Sequence, residues 1–235
     1  LTARYDAAIS NYLGRIDADG SLRPFPDTLT VQFAKAQDLR YGENPHQQAV
    51  FYREPATAVA AVANARQLQG KELSYNNIMD ADAAWNMVAD FDRPAAIIMK
   101  HANPCGAATA AESPAEAYRK AMETDPVSAF GGIVAFNRPV DKATAEELAK
   151  TFLEVILAPS FTDEARAILA TKKNVRVLEI PAADLKGPAG LDFRRVVGGL
   201  LVQDRDIAPF DIRRSKVVTK RAPTEDEYQA LDFAW

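Results

Sequence analysis

The sequence has few of the residues that form covalent or metal-bound frameworks, with one cysteine and two histidines among 235 residues. One cysteine excludes an internal disulfide and any multi-cysteine metal cluster. Low cysteine usage is typical of proteins in reducing compartments, so we expect a cytoplasmic protein.

An excess of positive charge and a long apolar segment are also lacking. The formal net charge is -4, which gives no general attraction to nucleic acid or to anionic membranes. No apolar run approaches the ~20 residues of a membrane-spanning helix. We therefore expect neither nucleic acid nor a membrane as a partner, and any anionic ligand requires a local basic site.

Helix and strand patterns alternate over most of the chain. Strands are predicted at residues 29–33, 49–52, 95–99, 133–136, 155–158 and 175–180. Capping boxes, Ser113 with Glu116 and Thr224 with Glu227, predict two helices, and the capping residues Asp141 and Thr162 predict two more. The helix after Asp141 is expected to carry both Leu148 and Phe152. This order predicts an α/β fold in three layers, with the sheet buried beneath crossover helices.

The domain organisation follows from breaks in these patterns. Residues 1–13 are predicted to be helical and 14–27 to form a linker, because glycine and proline interrupt them. The main unit is predicted at 29–190, with a boundary near 186–190, and residues 191–235 are expected to open a second unit. The first residue is Leu, and the helix after Thr224 has no stop signal, so we expect part of a longer protein.

The stretch KHANPCG, residues 100–106, follows the predicted strand at 95–99. Ligands of open α/β sheets bind beyond the carboxyl ends of strands, which makes Lys100 and His101 candidate catalytic residues. A histidine can accept a proton near neutral pH, and a lysine can stabilise a developing oxyanion. The alternative is a surface lysine beside a histidine that only bonds a turn.

The same stretch has a faint similarity to the motifs of zinc-dependent deaminases. Asn103 stands where those motifs have a catalytic glutamate, and the second cysteine is lacking. A catalytic zinc site needs about three protein ligands, and only His101 and Cys105 are within reach. We expect no metal, and we expect Cys105 to be a small buried residue.

Two loops supply further binding candidates. In residues 39–47, Arg40 could bind a phosphate or carboxylate, with the Tyr41 hydroxyl beside it; the alternative is a solvated loop in which Arg40 pairs with Glu43. In residues 125–132, Phe130 could stack on a flat heterocycle, and the following glycines allow close approach of a ligand.

Four motifs together resemble a known family. LRYGENPHQ (39–47), KELSYNNIMDADAAW (71–85), KHANPCG (100–106) and DPVSAFGGIVAFNRPVD (125–141) are similar, in order and spacing, to the bifunctional purine-biosynthesis enzymes that join 5-aminoimidazole-4-carboxamide ribonucleotide transformylase to IMP cyclohydrolase. The resemblance covers about residues 29–235.

The resemblance implies a transfer of the formyl group of 10-formyltetrahydrofolate to the 5-amino group of the ribonucleotide. It implies that Lys100 and His101 are catalytic. Substrate contacts are implied for Arg40, Tyr41, Asn77, Phe130, Gly131 and Glu154. Two other hypotheses remain at this stage, a zinc-dependent hydrolase of the deaminase type and a non-catalytic nucleotide-binding α/β module.

The resemblance also implies a domain arrangement. Residues 1–28 would be the tail of the cyclohydrolase domain with a linker, 29–190 the first of two cytidine-deaminase-like subdomains without catalytic zinc, and 191–235 a linker with the start of the second. Family sites form across a homodimer interface. We therefore expect a homodimer for the full-length protein and little activity for this chain alone.

Overall fold

The computed structural model describes residues 2–55, 59–181 and 190–235. The chain divides into two compact units, Leu1–Gly187 and Pro188–Trp235. The boundary predicted near 186–190 lies almost wholly outside the described residues.

The first unit begins with a helix and a small hairpin. Helix α1 (Thr2–Leu13) contains no buried residue, and strands β1 (Ala34–Leu39) and β2 (Ala49–Arg53) pair antiparallel. The strand predicted at 29–33 is wrong, because β1 begins only at Ala34, opposite the last residue of β2. In the part of the chain that the structure describes, residues 29–33 pair with no strand, and Val31 (46% exposed) and Phe33 (42%) lie at the surface.

A six-stranded mixed sheet forms the centre of the first unit. Its strands are β3 (Arg66–Gln69), β4 (Ala95–Lys100), β5 (Asn103–Thr109), β6 (Ile133–Phe136), β7 (Val155–Ala158) and β8 (Arg176–Glu179). Their order across the sheet is β3-β8-β7-β6-β4-β5. The pairs β6–β7 and β7–β8 are parallel, whereas β3, β4 and β5 pair antiparallel with their neighbours. The crossover connections that the sequence predicts therefore occur, within the described sheet, only among β6, β7 and β8.

Helices cover both faces of this sheet. They are α2 (Tyr75–Val88), α3 (Pro114–Thr124), α4 (Pro126–Ala129), α5 (Lys142–Leu148) and α6 (Asp163–Leu169). Neighbouring residues of β4 point to opposite cores: Ile97 packs with Trp85 of α2, and Ile98 lies in the cluster that contains Tyr118 of α3. The cluster that contains Ile98 and Tyr118 also holds Leu148 of α5 and Leu169 of α6. The predicted three-layer α/β fold is confirmed.

Two details of the helix predictions change. The helix after Asp141 ends at Leu148, so Phe152 lies outside it and is 46% exposed. The chain turns back there toward β7, and the Phe152 carbonyl accepts a hydrogen bond from Gly131 N–H. Ser113 accepts the N–H of Glu116, which is one half of the predicted capping box.

The second unit contains a hairpin and a helix. Strands β9 (Leu191–Val196) and β10 (Gly199–Asp204) pair antiparallel, and helix α7 spans Glu225–Ala234. The predicted capping box between Thr224 and Glu227 is confirmed. Within the described ranges of both units, no helix has the length and apolar character needed to cross a membrane.

Candidate functional site

The candidate residues gather at one end of the central sheet, which we call the Lys100 end. There β4 finishes at Lys100, while β6, β7 and β8 begin at Ile133, Val155 and Arg176. Lys100 stands at the carboxyl end of β4, as the sequence predicts, but β4 runs antiparallel to β6. The Lys100 end is the amino end of the three parallel strands.

A two-residue turn joins β4 to β5. Lys100 pairs with Asn103, and the intervening His101 and Ala102 both have φ of 54°. Positive φ at both central residues is the requirement of a type I′ hairpin turn. The carboxylate of Asp80, on α2, accepts both turn amides, from His101 N–H at 3.2 Å and from Ala102 N–H at 2.7 Å. Asp80 therefore ties the turn to helix α2.

The two catalytic candidates differ in their surroundings. Lys100 is half-buried, and its Nζ donates a hydrogen bond to the Phe130 carbonyl at 3.0 Å. His101 is exposed at the turn, and its carbonyl accepts a hydrogen bond from Asn103 Nδ2 at 2.9 Å. The ammonium thus faces the α4–β6 segment, while the imidazole lies at the surface.

The strand after the turn contains a bulge. Ile98 pairs with Gly106 and Met99 pairs with Pro104, so Cys105 is the extra residue. The Cys105 thiol donates to the Ile98 carbonyl at 3.5 Å and packs against the core, and burial raises the pKa of this thiol. The packing agrees with the structural role that the sequence predicts, although Cys105 is only half-buried.

The turn before β6 brings two aromatic rings together. Phe130 is 59% exposed, which excludes a core role, and its ring centroid lies 5.4 Å from that of Phe152. Gly131 has φ of 74°, in the left-handed region that favours glycine. Phe130 is therefore exposed at the Lys100 end, beside Phe152.

A hydrogen-bonded pair links the start of α2 to the start of β7. Asn77, only 4% exposed, donates from Nδ2 to Glu154 Oε2 at 2.7 Å. Its Oδ1 accepts the N–H of Ser74, whose hydroxyl accepts the N–H of Asn77. Arg176 Nη1 lies 3.9 Å from the same carboxylate oxygen of Glu154. Asn77 therefore caps the helix and orients Glu154 at once.

The loop that contains Arg40 lies beside the same helix start. Asn76 Nδ2 donates to the Glu43 carbonyl at 3.4 Å. The guanidinium of Arg40 lies 5.1 Å from the ring centroid of Tyr41. Within the described residues, Arg40 does not form the alternative ion pair with Glu43, and no hydrogen bond joins Arg40 or Tyr41 to Lys100 or His101. The hairpin places this pair near α2 without fixing it in the network.

Three residues of this end were not identified from the sequence. Asp80 follows Asn77 by three positions, which places both on one helix face, and this spacing could have indicated it. Phe152 and Arg176 become neighbours of Phe130 and Glu154 only through the order of the sheet. Among the residues described, no group of three or more His, Cys, Asp or Glu side chains could hold a metal ion.

The arrangement combines groups suited to polar chemistry on a small ligand. It offers an ammonium at Lys100, an imidazole at His101, an amide–carboxylate pair at Asn77 and Glu154, and an exposed ring at Phe130. Such groups can bind a polar substrate, accept a proton and stabilise developing charge.

Comparison with known proteins gives a match over the whole sequence. The family model described as AICARFT/IMPCHase bienzyme matches residues 1–235. A match of this extent agrees with the order and spacing of the four motifs, and the chain therefore belongs to the AICARFT/IMPCHase bienzyme family, whose members act as formyltransferase and cyclohydrolase in purine biosynthesis.

Proposed function

We propose that this chain supplies part of the transformylase site of the bienzyme. The reaction is formyl transfer from 10-formyltetrahydrofolate to the 5-amino group of 5-aminoimidazole-4-carboxamide ribonucleotide. The cyclohydrolase activity would then close the formamido product to IMP. The observation that supports this assignment most is the gathering of Lys100, Asn77, Phe130 and Glu154 at one end of the sheet, with His101 on the adjoining turn.

The chemistry requires one proton acceptor and stabilisation of negative charge. The amine nitrogen attacks the formyl carbon and gives up a proton, a tetrahedral species forms, and the bond from that carbon to folate N10 breaks as N10 takes up a proton. In our proposal His101 accepts the proton of the attacking amine, and Lys100 stabilises the charge on the tetrahedral oxygen or assists departure of N10. The exposed imidazole of His101 is open to a bound amine. A positioned general base contributes ~10² to 10⁴ in rate.

The remaining candidates are assigned to binding. Glu154 and Asn77 are proposed to contact the carboxamide and ribose side of the nucleotide, because both carry hydrogen-bonding groups at the Lys100 end. Arg40 and Tyr41 are proposed to hold its anionic part, since the guanidinium is exposed and free of an ion pair with Glu43. Phe130 and Gly131 are proposed to form the wall of the pocket.

The complete site is proposed to need more than this chain. The family resemblance implies a second deaminase-like subdomain, a homodimer and a cytoplasmic location. We therefore propose that the isolated chain binds ligand weakly and turns over little or no substrate. Detectable turnover by the purified 235-residue chain would contradict this part of the proposal.

Substitution of the two catalytic candidates tests the function. Lys100→Ala and His101→Ala, each made in the intact protein, are expected to abolish formyl transfer and to spare cyclohydrolase activity, since the latter belongs to another domain. Lys142→Ala is the matched control, because Lys142 is an exposed lysine that follows the opposite end of β6.

Both activities are measured on the same preparations. Retention of full formyl transfer by either variant of the pair would exclude that residue from catalysis. Equal loss of both activities, together with a lower unfolding temperature, would show that the substitution unfolds the protein.

A further inference from the structure

We propose that Asp80 is a positioning residue of the transformylase site, which holds the His101 turn at a fixed place relative to Asn77 and Glu154. This proposal rests on the function proposed for Lys100 and His101. Asp80 does not contact the reacting atoms in this proposal. It acts through the backbone of the turn that carries the imidazole.

The turn has an intrinsic conformational cost. His101 and Ala102 both adopt φ of 54°, and a left-handed conformation costs an L-residue with a Cβ roughly 1–2 kcal/mol. Type I′ turns prefer Asn-Gly or Gly-Gly for this reason. Histidine is tolerated in this region better than most residues, but alanine is not. The sequence His101-Ala102 therefore needs support from outside the turn.

The carboxylate of Asp80 supplies that support. One oxygen accepts His101 N–H at 3.2 Å and the other accepts Ala102 N–H at 2.7 Å. Successive N–H groups in such a turn form a concavity that binds an anion. Hydrogen bonds to an ionised acceptor are about twice as strong as neutral ones. Asp80 thus offsets the strain at the two residues where it arises.

Helix α2 connects this contact to the rest of the site. Asn77 and Asp80 are three residues apart on that helix, and Asn77 donates to Glu154 while Asp80 accepts from the turn. Asn77 and Asp80 lie about one turn apart on the same helix, so the turn that carries the proposed base and the proposed nucleotide-binding carboxylate are both anchored to α2. A shift of about 1 Å between catalytic groups can cost about 10²-fold in rate.

The test uses four variants in the intact protein: Asp80→Ala, Asp80→Asn, Asp80→Ala with Ala102→Gly, and Asp82→Ala. Asp82 is the matched control, since it is an exposed carboxylate on α2 that accepts a hydrogen bond from Asn86 Nδ2. Formyl-transfer kcat and KM, cyclohydrolase activity and amide hydrogen exchange are measured for each.

Asp80→Ala is expected to lower kcat by about 10²-fold with KM changed little, because orientation rather than binding is lost. Asp80→Asn is expected to fall between Asp80→Ala and the unsubstituted protein, since one acceptor oxygen remains. Adding Ala102→Gly to Asp80→Ala is expected to recover about tenfold in kcat, because glycine removes the left-handed penalty. Asp82→Ala is expected to leave both activities unchanged.

Amide exchange separates this proposal from the proposed function. Faster exchange of the His101 and Ala102 amides in Asp80→Ala is expected, and it can be measured even if the intact protein shows no formyl transfer. The absence of formyl transfer would contradict the proposed function but not the contact between Asp80 and the turn. Unchanged exchange at these amides would overturn the proposal. A loss of kcat that Ala102→Gly does not recover at all would also overturn it, because Asp80 would then act otherwise than through the turn. If Asp80→Ala also loses cyclohydrolase activity, the same criteria apply to Asp80→Asn.

Discussion

The β4–β5 and β9–β10 hairpins each turn in two residues, yet they are built in different ways. His101 and Ala102 both have positive φ in the first turn, and neither is glycine. In the second, Val197 and Gly198 form the turn, and glycine occupies the residue with positive φ. Val197 is fully exposed, and a Cβ added to Gly198 would meet nothing within 4 Å.

The two hairpins also differ in burial and in the contacts that stabilise their turns. β4 is buried along residues 95–99, and Asp80 accepts both amides of its turn. Neither β9 nor β10 contains a buried residue. A hairpin that is fixed by packing and by a carboxylate can hold a strained turn that displays a chosen side chain, whereas an exposed hairpin requires glycine. Strain of this kind is typical of functional sites.

The largest effect is expected from filling the space beside the first hairpin. A Cβ added at Gly106 in β5 would lie 2.2 Å from the Ala121 carbonyl oxygen in α3. We expect Gly106→Ala to reduce the free energy of unfolding by about 3 kcal/mol, because the backbone of α3 must move. Urea unfolding followed by Trp85 fluorescence, in a Trp235→Phe background, measures this change.

The matched control lies in the second hairpin. A Cβ added at Gly199 would lie 3.4 Å from Val196 Cγ2, which is an ordinary contact. Gly199→Ala is expected to stabilise β10 by about 0.5 kcal/mol, since alanine in a strand loses less chain entropy on folding than glycine. Similar losses in both variants would mean that the two hairpins do not differ in packing.

A smaller effect is expected at the turns. Gly198→Ala is expected to destabilise the second hairpin by about 1–2 kcal/mol, because alanine must then adopt the φ of 78°. Ala102→Gly alone is expected to change stability by less than about 0.5 kcal/mol, as relief of strain and the greater entropy of the unfolded chain offset each other. Amide exchange within each hairpin measures both changes.

These two substitutions separate local conformation from packing. If Gly198→Ala has no effect while Ala102→Gly destabilises strongly, the conformational preference of the turns does not explain how the hairpins differ.

Most of the central sheet was predictable from the sequence, because β6, β7 and β4 up to Met99 are continuous apolar runs buried on both faces. β8 is also buried, although Arg176 and Glu179 stand at its two ends. β5 was missed, since Asn103-Pro104 and Gly106 are typical of a loop. Proline is tolerated there because β5 is an edge strand with a bulge. The alternation of apolar and polar residues at 29–33 predicts a strand that does not form. Pairing with another strand decides the structure there, and the alternating pattern does not.

The site was predictable in part for a related reason. Lys100 follows the strand predicted at 95–99, and Phe130 precedes the strand predicted at 133–136. The sequence alone therefore places each of them at an end of the sheet. Which end it is depends on the direction of β4 relative to β6, and that follows from pairing between distant segments. The roles of Asp80 and Arg176 depend on the same distant pairing. Local patterns therefore predict candidates, and topology determines their neighbours.

The smallest expected effect is a response of the second unit to acid. Two hydrogen bonds from the Arg221 guanidinium, followed by the Thr224 N–H, lower the pKa of Glu227 from 4.5 to about 2. A lowered folded pKa means that the carboxylate stabilises the start of α7 fully above pH 4.5, and that this contribution is lost as pH falls toward 2. The effect is small because the pair is exposed and screened by salt. A carboxyl NMR titration of Glu227 and the exchange rate of the Thr224 amide measure it, and Arg221→Ala is expected to raise the titration midpoint toward 4.5.

In the second unit a carboxylate thus supports a helix start, while the β9–β10 turn contains no carboxylate, so acid should leave exchange at Gly198 unchanged. Parallel acid-induced changes at Gly198 and Thr224 would show instead that the hairpin and α7 unfold together, and that glycine alone does not maintain the second turn.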